Sequence, residues 1–235
     1  MIKEFHINID DTQIDLLNKK IELTRWPDEI NNKYWSHGTS MSFLKDLSKY
    51  WINDFNWRTH EQALNDIGSY KFSSQSGLDI HFLHAKSNQK NSLPLVMTHG
   101  WPGSIQEFIK VIPLIQEQSD RPIDIICPSL PGFGFSDKPQ DLGMNSEQIA
   151  KIQHELIMAL GYKQYIVQGG DWGATVSKWM AELFPQNCIG IHLNLVIAFP
   201  PNTDDPLKGV TDKELKLLEN FTKYKTPGYG YFEIQ

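Results

Sequence analysis

Asp171 stands in the stretch QGGDWGAT, residues 168 to 175, with Gly169 two positions before it and Gly173 two positions after. Glycine at those offsets suits a sharp strand-to-helix turn whose central residue is strained and projects its side chain from the top of a sheet, because bulk on either flank would clash. The spacing is that of the G-x-S-x-G nucleophile elbow, with aspartate in the serine position. A helix beginning at Trp172 aims backbone N–H groups and a positive dipole end at the carboxylate, which favours its ionised form. A competing role stands beside this one: aspartate is among the best helix N-caps, and Asp171 sits where a cap would.

The stretch MTHGWPGS, residues 97 to 104, closes an earlier apolar run and carries His99, Gly100, Trp101 and Pro102. A hydrolase with a nucleophile elbow draws its oxyanion hole from two backbone donors, one just after the nucleophile and one from a loop after a neighbouring strand. By their order in the chain these are the N–H groups of Trp172 and Trp101. Gly100 allows a tight turn, and Pro102 stiffens the loop so that the Trp101 N–H keeps its direction. Taken alone, HGWP is also an ordinary turn with His99 packed in a core.

Serine in an elbow suits acyl transfer. A carboxylate instead displaces a leaving group at saturated carbon and becomes an alkyl-enzyme ester whose carbonyl belongs to the enzyme. Water then attacks that carbonyl, so the oxyanion hole serves the second step. The substrates that fit carry a strained or good leaving group on sp³ carbon: an epoxide or an alkyl halide.

The elements that would position these groups follow two rhythms. Up to residue 77 the chain is helical and aromatic. TQIDLLNKKIELTRW spaces Ile14, Leu17 and Ile21 after the capping candidates Asp11 and Thr12, and MSFLKDLSKYWINDF spaces Phe43, Leu44, Leu47 and Trp51, so two amphipathic helices laid against a larger body are expected. From residue 78 strands and helices alternate. LDIHFLHA reads as a half-exposed strand, LPLVMTHG as a buried one, and SIQEFIKVIPLIQEQ as a helix that Pro113 weakens. The strand IDIICPSL, a helix opening on the Asn145 cap, the strand QYIVQGG, the helix WGATVSKWMAELF and the strand CIGIHLNLV follow. This order predicts an α/β fold, a mostly parallel sheet with helices on both faces and chemistry at the carboxyl ends of its strands. After Ala198 the rhythm breaks at FPPNTDDP, and the charged helix TDKELKLLENFTKYK begins an excursion out of the sheet.

Composition narrows the function. A formal charge of -6 over 235 residues offers no basic field for phosphate backbones or anionic membranes, so a small neutral ligand fits better. Cys127 and Cys188 lie in β-branched apolar runs and read as core fillers. The Met1 end has no apolar h-region, and no stretch approaches the roughly 18 to 20 apolar residues of a membrane helix, so a cytoplasmic location is expected. No metal or cofactor is expected: HELIM lacks the second histidine of H-E-x-x-H, and PGFGFSD lacks the third glycine of G-x-G-x-x-G and any P-loop lysine. A serine esterase is disfavoured because Ser104 has no elbow around it. His154 lies on a helix with an apolar face and His192 within a strand, while His6, His37, His60, His81 and His84 read as surface or packing residues.

HGWPGS, PSLPGFGFSDKP and GGDWGA, in that order, closely resemble the epoxide hydrolases of the α/β-hydrolase superfamily. The leading segment, with LTRWPDE, YWINDFNWRTHEQALN and GLDIHFLHAKS, resembles the N-terminal meander of the microsomal type. The resemblance implies an α/β-hydrolase fold incomplete at the C-terminus: residues 1–77 as the N-terminal helical segment, 78–198 as the first part of the core, and 199–235 as the beginning of a lid. It implies Asp171 as nucleophile, Trp101 and Trp172 as the backbone donors of the oxyanion hole, and His99, Gly100, Pro102, Gly169 and Gly173 as supporting turns. Lid tyrosines in that family hydrogen-bond the epoxide oxygen and supply a proton. Tyr231 in GYGYFEIQ is the best match for the first of them, with Tyr229 the alternative, and a phenol of pKa about 10 suits the task.

The partners so implied are a small apolar epoxide and water, with no nucleic acid and no membrane anchor. The family's histidine base, its acid partner and its second lid tyrosine have no match before Gln235. An apolar edge at CIGIHLNLV, poor solubility and at most a single alkylation of Asp171 are therefore expected. Haloalkane dehalogenases share the aspartate elbow and a similar DWG, and stand as the alternative that the meander and the double glycine before Asp171 disfavour. A non-catalytic truncated fragment is the other alternative.

Overall fold

A computed structural model of the protein describes residues 1–29, 35–36, 38–197, 202–228 and 230. Its frame is a seven-stranded sheet of β1 (Ile2–Glu4), β2 (Ser69–Ser73), β3 (Asp79–Ala85), β4 (Leu93–Thr98), β5 (Ile123–Pro128), β6 (Tyr165–Gly169) and β7 (Cys188–Leu193), in the spatial order β1-β2-β3-β5-β4-β6-β7. From β5 through β4 and β6 to β7 the neighbours are parallel, because helical crossovers return the chain to the same end of the sheet each time. The crossovers are α4 (Val111–Gln118), α5 (Ser146–Ala159) and α6 (Trp172–Leu183). β1, β2 and β3 join antiparallel, β2 and β3 through a tight turn in which Gly77 takes a φ of +82°.

Strand alternation divides the core between the two faces. Phe82 and Leu83, Val96 and Met97, and Ile126 and Ile125 send neighbouring side chains to opposite clusters, as a period of two requires. One cluster takes Leu156 of α5 and Val176 of α6, the other Ile105 and Ile112. The α/β-hydrolase arrangement read from the sequence is present, with α5 and α6 on one face and α4 on the other.

Several local details differ from the sequence reading. Residues 1–77 supply the strands β1 and β2 as well as helices. The run YWINDFNWRTHEQALN is broken at Asn56, whose side chain accepts from the Arg58 N–H, so α2 (Met41–Asn53) is followed by a third helix, α3 (Trp57–Ile67). Asp10, one residue before the expected caps, accepts from the Thr12 N–H to open α1 (Asp11–Glu22). Neither α1 nor α2 has a buried residue, and Leu17, Phe43, Leu47 and Trp51 are exposed, Phe43 beside the Trp35 ring and Trp51 beside that of Phe55.

Pro113 does not weaken a long helix, because none spans it. A 3₁₀ turn at Ile105–Phe108 comes first, and α4 then starts at Val111, so Pro113 falls in a first turn where a missing N–H costs nothing. Cys127 is fully buried, whereas Cys188 is half-buried because β7 is the sheet edge, where Ile189 and Ile191 are exposed; both thiols are free.

β3 is the largest departure, since every residue after Asp79 is buried instead of alternate ones. Its histidines are accommodated by hydrogen bonds. His81 pairs with Ser69 Oγ at Nε2 and Ser129 Oγ at Nδ1, each at 2.9 Å, and Phe5 and Phe135 meet its ring edge-on. His84 pairs with the Tyr162 hydroxyl, which donates to the buried Asp124, itself also bonded by the Ser87 N–H and Ser92 hydroxyl. Glu61, likewise buried, accepts from the Ile9 N–H, Trp57 Nε1 and Arg58, and so ties the N-terminal strap to α3.

Contacts group residues Met1 to Val196 into one compact unit and Ile197 to Gln235 into a second. The second carries α7 (Asp212–Gly228), opened by a capping box in which the Thr211 N–H donates to Glu214 and the Glu214 N–H to the Thr211 hydroxyl. Among the described residues no helix is long and apolar enough to cross a membrane.

Burial lowers the His81 pKa to about 3 and the His84 pKa to about 4, with Lys71 and Lys86 adding to the respective shifts. Both fall below the unfolded value of about 6.5, so the unfolded chain binds more protons between those limits; the stability is whole above that value and drains away as pH falls. In urea titrations each histidine should remove about 1.4 kcal/mol per pH unit between roughly pH 6 and pH 4. His81→Gln should make that pH slope shallower, and an unchanged slope would contradict the assignment.

Candidate active site

β6 ends at Gly169 and α6 begins at Trp172, so the reversal is made by Gly170 and Asp171 alone. Asp171 has φ +51° and ψ -128°, a region costly for a residue with a side chain and maintained only where its surroundings leave no alternative. Those surroundings are backbone. A Cβ on Gly173 would lie 1.9 Å from the Thr98 carbonyl oxygen, and one on Gly169 would lie 2.0 Å from that of Gly173. The end of β4, the end of β6 and the first turn of α6 therefore touch directly, and glycine is what permits it.

The loop after β4 closes the site. A Cβ on Gly100 would meet Asp171 Cβ and Oδ1 at 2.4 Å, so this loop runs immediately beside the carboxylate. The Trp101 N–H donates to Asp171 Oδ1 at 2.8 Å. Asp171 makes no side-chain bond to its own helix, so a capping role does not account for its position. The Trp172 N–H belongs to the first turn of α6, whose donors have no acceptor within the helix. The Trp101–Pro102 peptide is cis.

His99 fastens the loop from beneath. It is 1% exposed; the Leu130 N–H donates to its Nε2 at 3.1 Å, which assigns the proton to Nδ1 and makes that nitrogen the donor to the Gly100 carbonyl at 3.0 Å. Desolvation lowers its pKa and keeps the ring neutral. His99 thus links the loops after β4 and β5 as a buried tie.

Asp171 opens onto a cleft of about 340 Å³ lined by Trp101, Pro102, Gly103, Glu107, Gly170 and Asn194, among others. Two of these escaped the sequence reading. Glu107 folds back over Gly103, where a Cβ would sit 1.6 Å from Glu107 Oε1. Asn194 follows the carboxyl end of β7, and its Oδ1 would be 2.3 Å from a Cβ on Gly170. The signals available were a glycine four residues before a glutamate and a polar residue just past a strand; neither identifies a site without the fold.

Among the described residues lining the cleft, Asp171 and Glu107 are the ionisable groups, and no imidazole is present. His154 bonds the Tyr165 hydroxyl and stacks on Phe184, and His60 stacks on Phe55. Tyr231, Tyr229 and His37 lie outside the described residues. No group of three or more His, Cys, Asp or Glu that could hold a metal occurs among the described residues.

Several known proteins are similar to this chain. The family described as "Epoxide hydrolase N terminus" matches residues 2–108, and that described as "alpha/beta hydrolase fold" matches residues 94–213. A Stigmatella aurantiaca protein is 40% identical over 240 residues, covering all of this chain and 54% of that protein. Epoxide hydrolase 1 of Sus scrofa is 34% identical over 241 residues, covering 94% of this chain and 53% of that protein. Among solved structures, juvenile hormone epoxide hydrolase from the silkworm Bombyx mori superposes with a TM-score of 0.77 at 37% identity, over 83% of this chain and 53% of that one. Aspergillus niger epoxide hydrolase gives 0.82 at 28% identity, over 98% and 62%. The chain belongs to the α/β-hydrolase fold family, on the branch that carries the N-terminal segment of epoxide hydrolases. It spans about half the length of the curated relatives it matches.

Gly173→Ala should lower the unfolding free energy by about 2 kcal/mol or more in urea denaturation, because the added methyl meets backbone that cannot yield. At Gly190 the new Cβ meets only the Ile166 side chain at 3.4 Å, and Gly190→Ala should stay within about 1 kcal/mol of the parent. Equal effects at the two positions would refute the close-approach account.

Proposed function

We propose that this chain carries the nucleophilic half of an epoxide hydrolase, with Asp171 as the attacking carboxylate. The observation that carries the reading is the strained turn that presents Asp171 to the cleft with Oδ1 accepting from the Trp101 N–H at 2.8 Å. That bond leaves the other carboxylate oxygen free to attack.

In this reading Asp171 Oδ2 attacks a ring carbon of the epoxide, the C–O bond of the ring breaks, and its electron pair goes to the ring oxygen, which takes up a proton. Tyr231 is the proposed donor of that proton. The product is a hydroxyalkyl ester in which Oδ1 has become the carbonyl oxygen. When water adds to that ester, negative charge develops on Oδ1, where the Trp101 N–H is already in place and the Trp172 N–H is the second proposed donor. Donors fixed before the charge appears need no reorganisation during reaction, and loss of one such donor typically costs about 100-fold to 1,000-fold in rate.

Hydrolysis of the ester also needs a base. No imidazole lines the described cleft, so the reading includes the expectation that the 235-residue chain alone is alkylated once and does not turn over. The names of the relatives support epoxide as the substrate class.

Incubation with styrene oxide should raise the intact mass by one epoxide, and peptide mapping should place the adduct on Asp171. Asp171→Asn should reduce labelling at least about 100-fold, since a neutral amide is a poor nucleophile. Adducts elsewhere, or undiminished labelling of the asparagine variant, would refute the proposal; chloride release from 1-chlorohexane without any epoxide adduct would favour a dehalogenase instead.

A further inference from the structure

The peptide unit between Gly100 and Trp101 is held at both ends. Its N–H donates to Asp171 Oδ1 at 2.8 Å, and its carbonyl oxygen accepts from His99 Nδ1 at 3.0 Å. A trans peptide is planar and sends its N–H and C=O in opposite directions, so fixing the oxygen fixes the aim of the hydrogen. Gly100 offers little steric resistance to rotating this unit, since glycine tolerates backbone angles that other residues avoid. Turned over, the unit would face Asp171 with a carbonyl oxygen and no donor.

His99 is built to prevent that. Its ring is 1% exposed, its Nε2 accepts from the Leu130 N–H at 3.1 Å, and the Phe133 ring meets it edge-on with centroids 5.4 Å apart. Its backbone is fixed as well: a Cβ on Gly173 would lie 2.8 Å from the His99 carbonyl oxygen, so the residue is wedged against the first turn of α6. Trp101 is 47% exposed, and its own side chain is a poor anchor for its N–H.

We propose that His99 is a positioning residue: by donating from Nδ1 to the Gly100 carbonyl, it keeps the Trp101 N–H aimed at Asp171 independently of what that side chain offers in return. The hold matters most once Asp171 is esterified. A neutral ester oxygen is a weaker acceptor than a carboxylate, so the charge-assisted bond that also steadies the unit is lost when the oxyanion donor is about to be needed. The inference rests on Asp171 being the nucleophile, and its test separates the two claims.

Hydroxylamine supplies the nucleophile for the second step. It attacks the carbonyl carbon of the Asp171 ester, the bond from that carbon to the alkyl oxygen breaks, and the leaving alkoxide takes a proton from the attacking nitrogen. An aspartyl hydroxamate and a diol result. The rate is followed by intact mass on the whole chain labelled with styrene oxide, for the parent, His99→Asn and His99→Gln. Asparagine keeps an N–H donor near the Nδ1 position and gives up the Nε2 acceptor; glutamine reaches the Leu130 N–H and gives up the donor to Gly100. Both variants should take the label, and both should lower the urea midpoint, because each leaves a buried partner unpaired. Cleavage of the His99→Asn adduct should stay within about threefold of the parent, and that of His99→Gln should be about 100-fold slower. Equal rates in the two variants overturn the positioning role and leave Asp171 as nucleophile. No adduct on the parent overturns both claims. Should neither variant fold, a crystal structure of Asp171→Ala decides: the Gly100 carbonyl is expected to stay on His99 Nδ1, and a unit turned over there overturns the proposal.

Discussion

The direct backbone contact among the ends of β4 and β6 and the start of α6 is the constraint on which the site depends. Gly173 against the Thr98 carbonyl and Gly169 against the Gly173 carbonyl leave Asp171 no route except through positive φ. The same proximity brings the Gly100 to Trp101 loop alongside, so that one backbone N–H finds one carboxylate oxygen at 2.8 Å. Strain at Asp171, commonly of order 1–3 kcal/mol, is held by packing that no flexible side chain can relax. Orientation of the carboxylate is therefore a property of the sheet rather than of the loop.

Buried histidines with hydrogen-bond partners support the sheet around this turn. His99 is held in one tautomer by the Leu130 N–H and donates from Nδ1 to the Gly100 carbonyl, which joins the loops after β4 and β5. Farther away, His81 joins β2, β3 and the end of β5 through two serine hydroxyls, while His84, Tyr162 and Asp124 form a chain toward the opposite end of β5. Burial disfavours the charged form of all three histidines, so their rings are neutral near pH 7, while Asp124, its pKa lowered against burial by the hydrogen bonds it accepts, is the carboxylate of these ties. The cleft has the carboxyl groups of Asp171 and Glu107.

What the sequence disclosed follows from how local each cause is. The elbow and the HGWP loop were legible because glycines at fixed offsets report where backbone must meet backbone. Alternating strands and helices were legible because crossovers impose their own periodicity. The placement of β1 and β2 was not, since it depends on pairing between residues far apart, as in Ile2 with Phe72. Burial of both faces of β3 was hidden for the same reason: the partners of His81 lie 12 and 48 residues away. The third helix, α3, was not among the two expected, because its start rests on one side chain, Asn56, capping the Arg58 N–H. Glu107 and Asn194 enter the cleft only through glycines that make space for them, a fact of the fold and not of spacing alone.

The most direct test is a crystal structure of the protein after reaction with an epoxide. The account predicts continuous density from one Asp171 carboxylate oxygen to a carbon of the opened ring, with the ester carbonyl oxygen within about 3.2 Å of the Trp101 nitrogen and facing the Trp172 nitrogen. An ester on any other side chain, or one at Asp171 whose carbonyl oxygen is turned away from the Trp101 N–H, would contradict it.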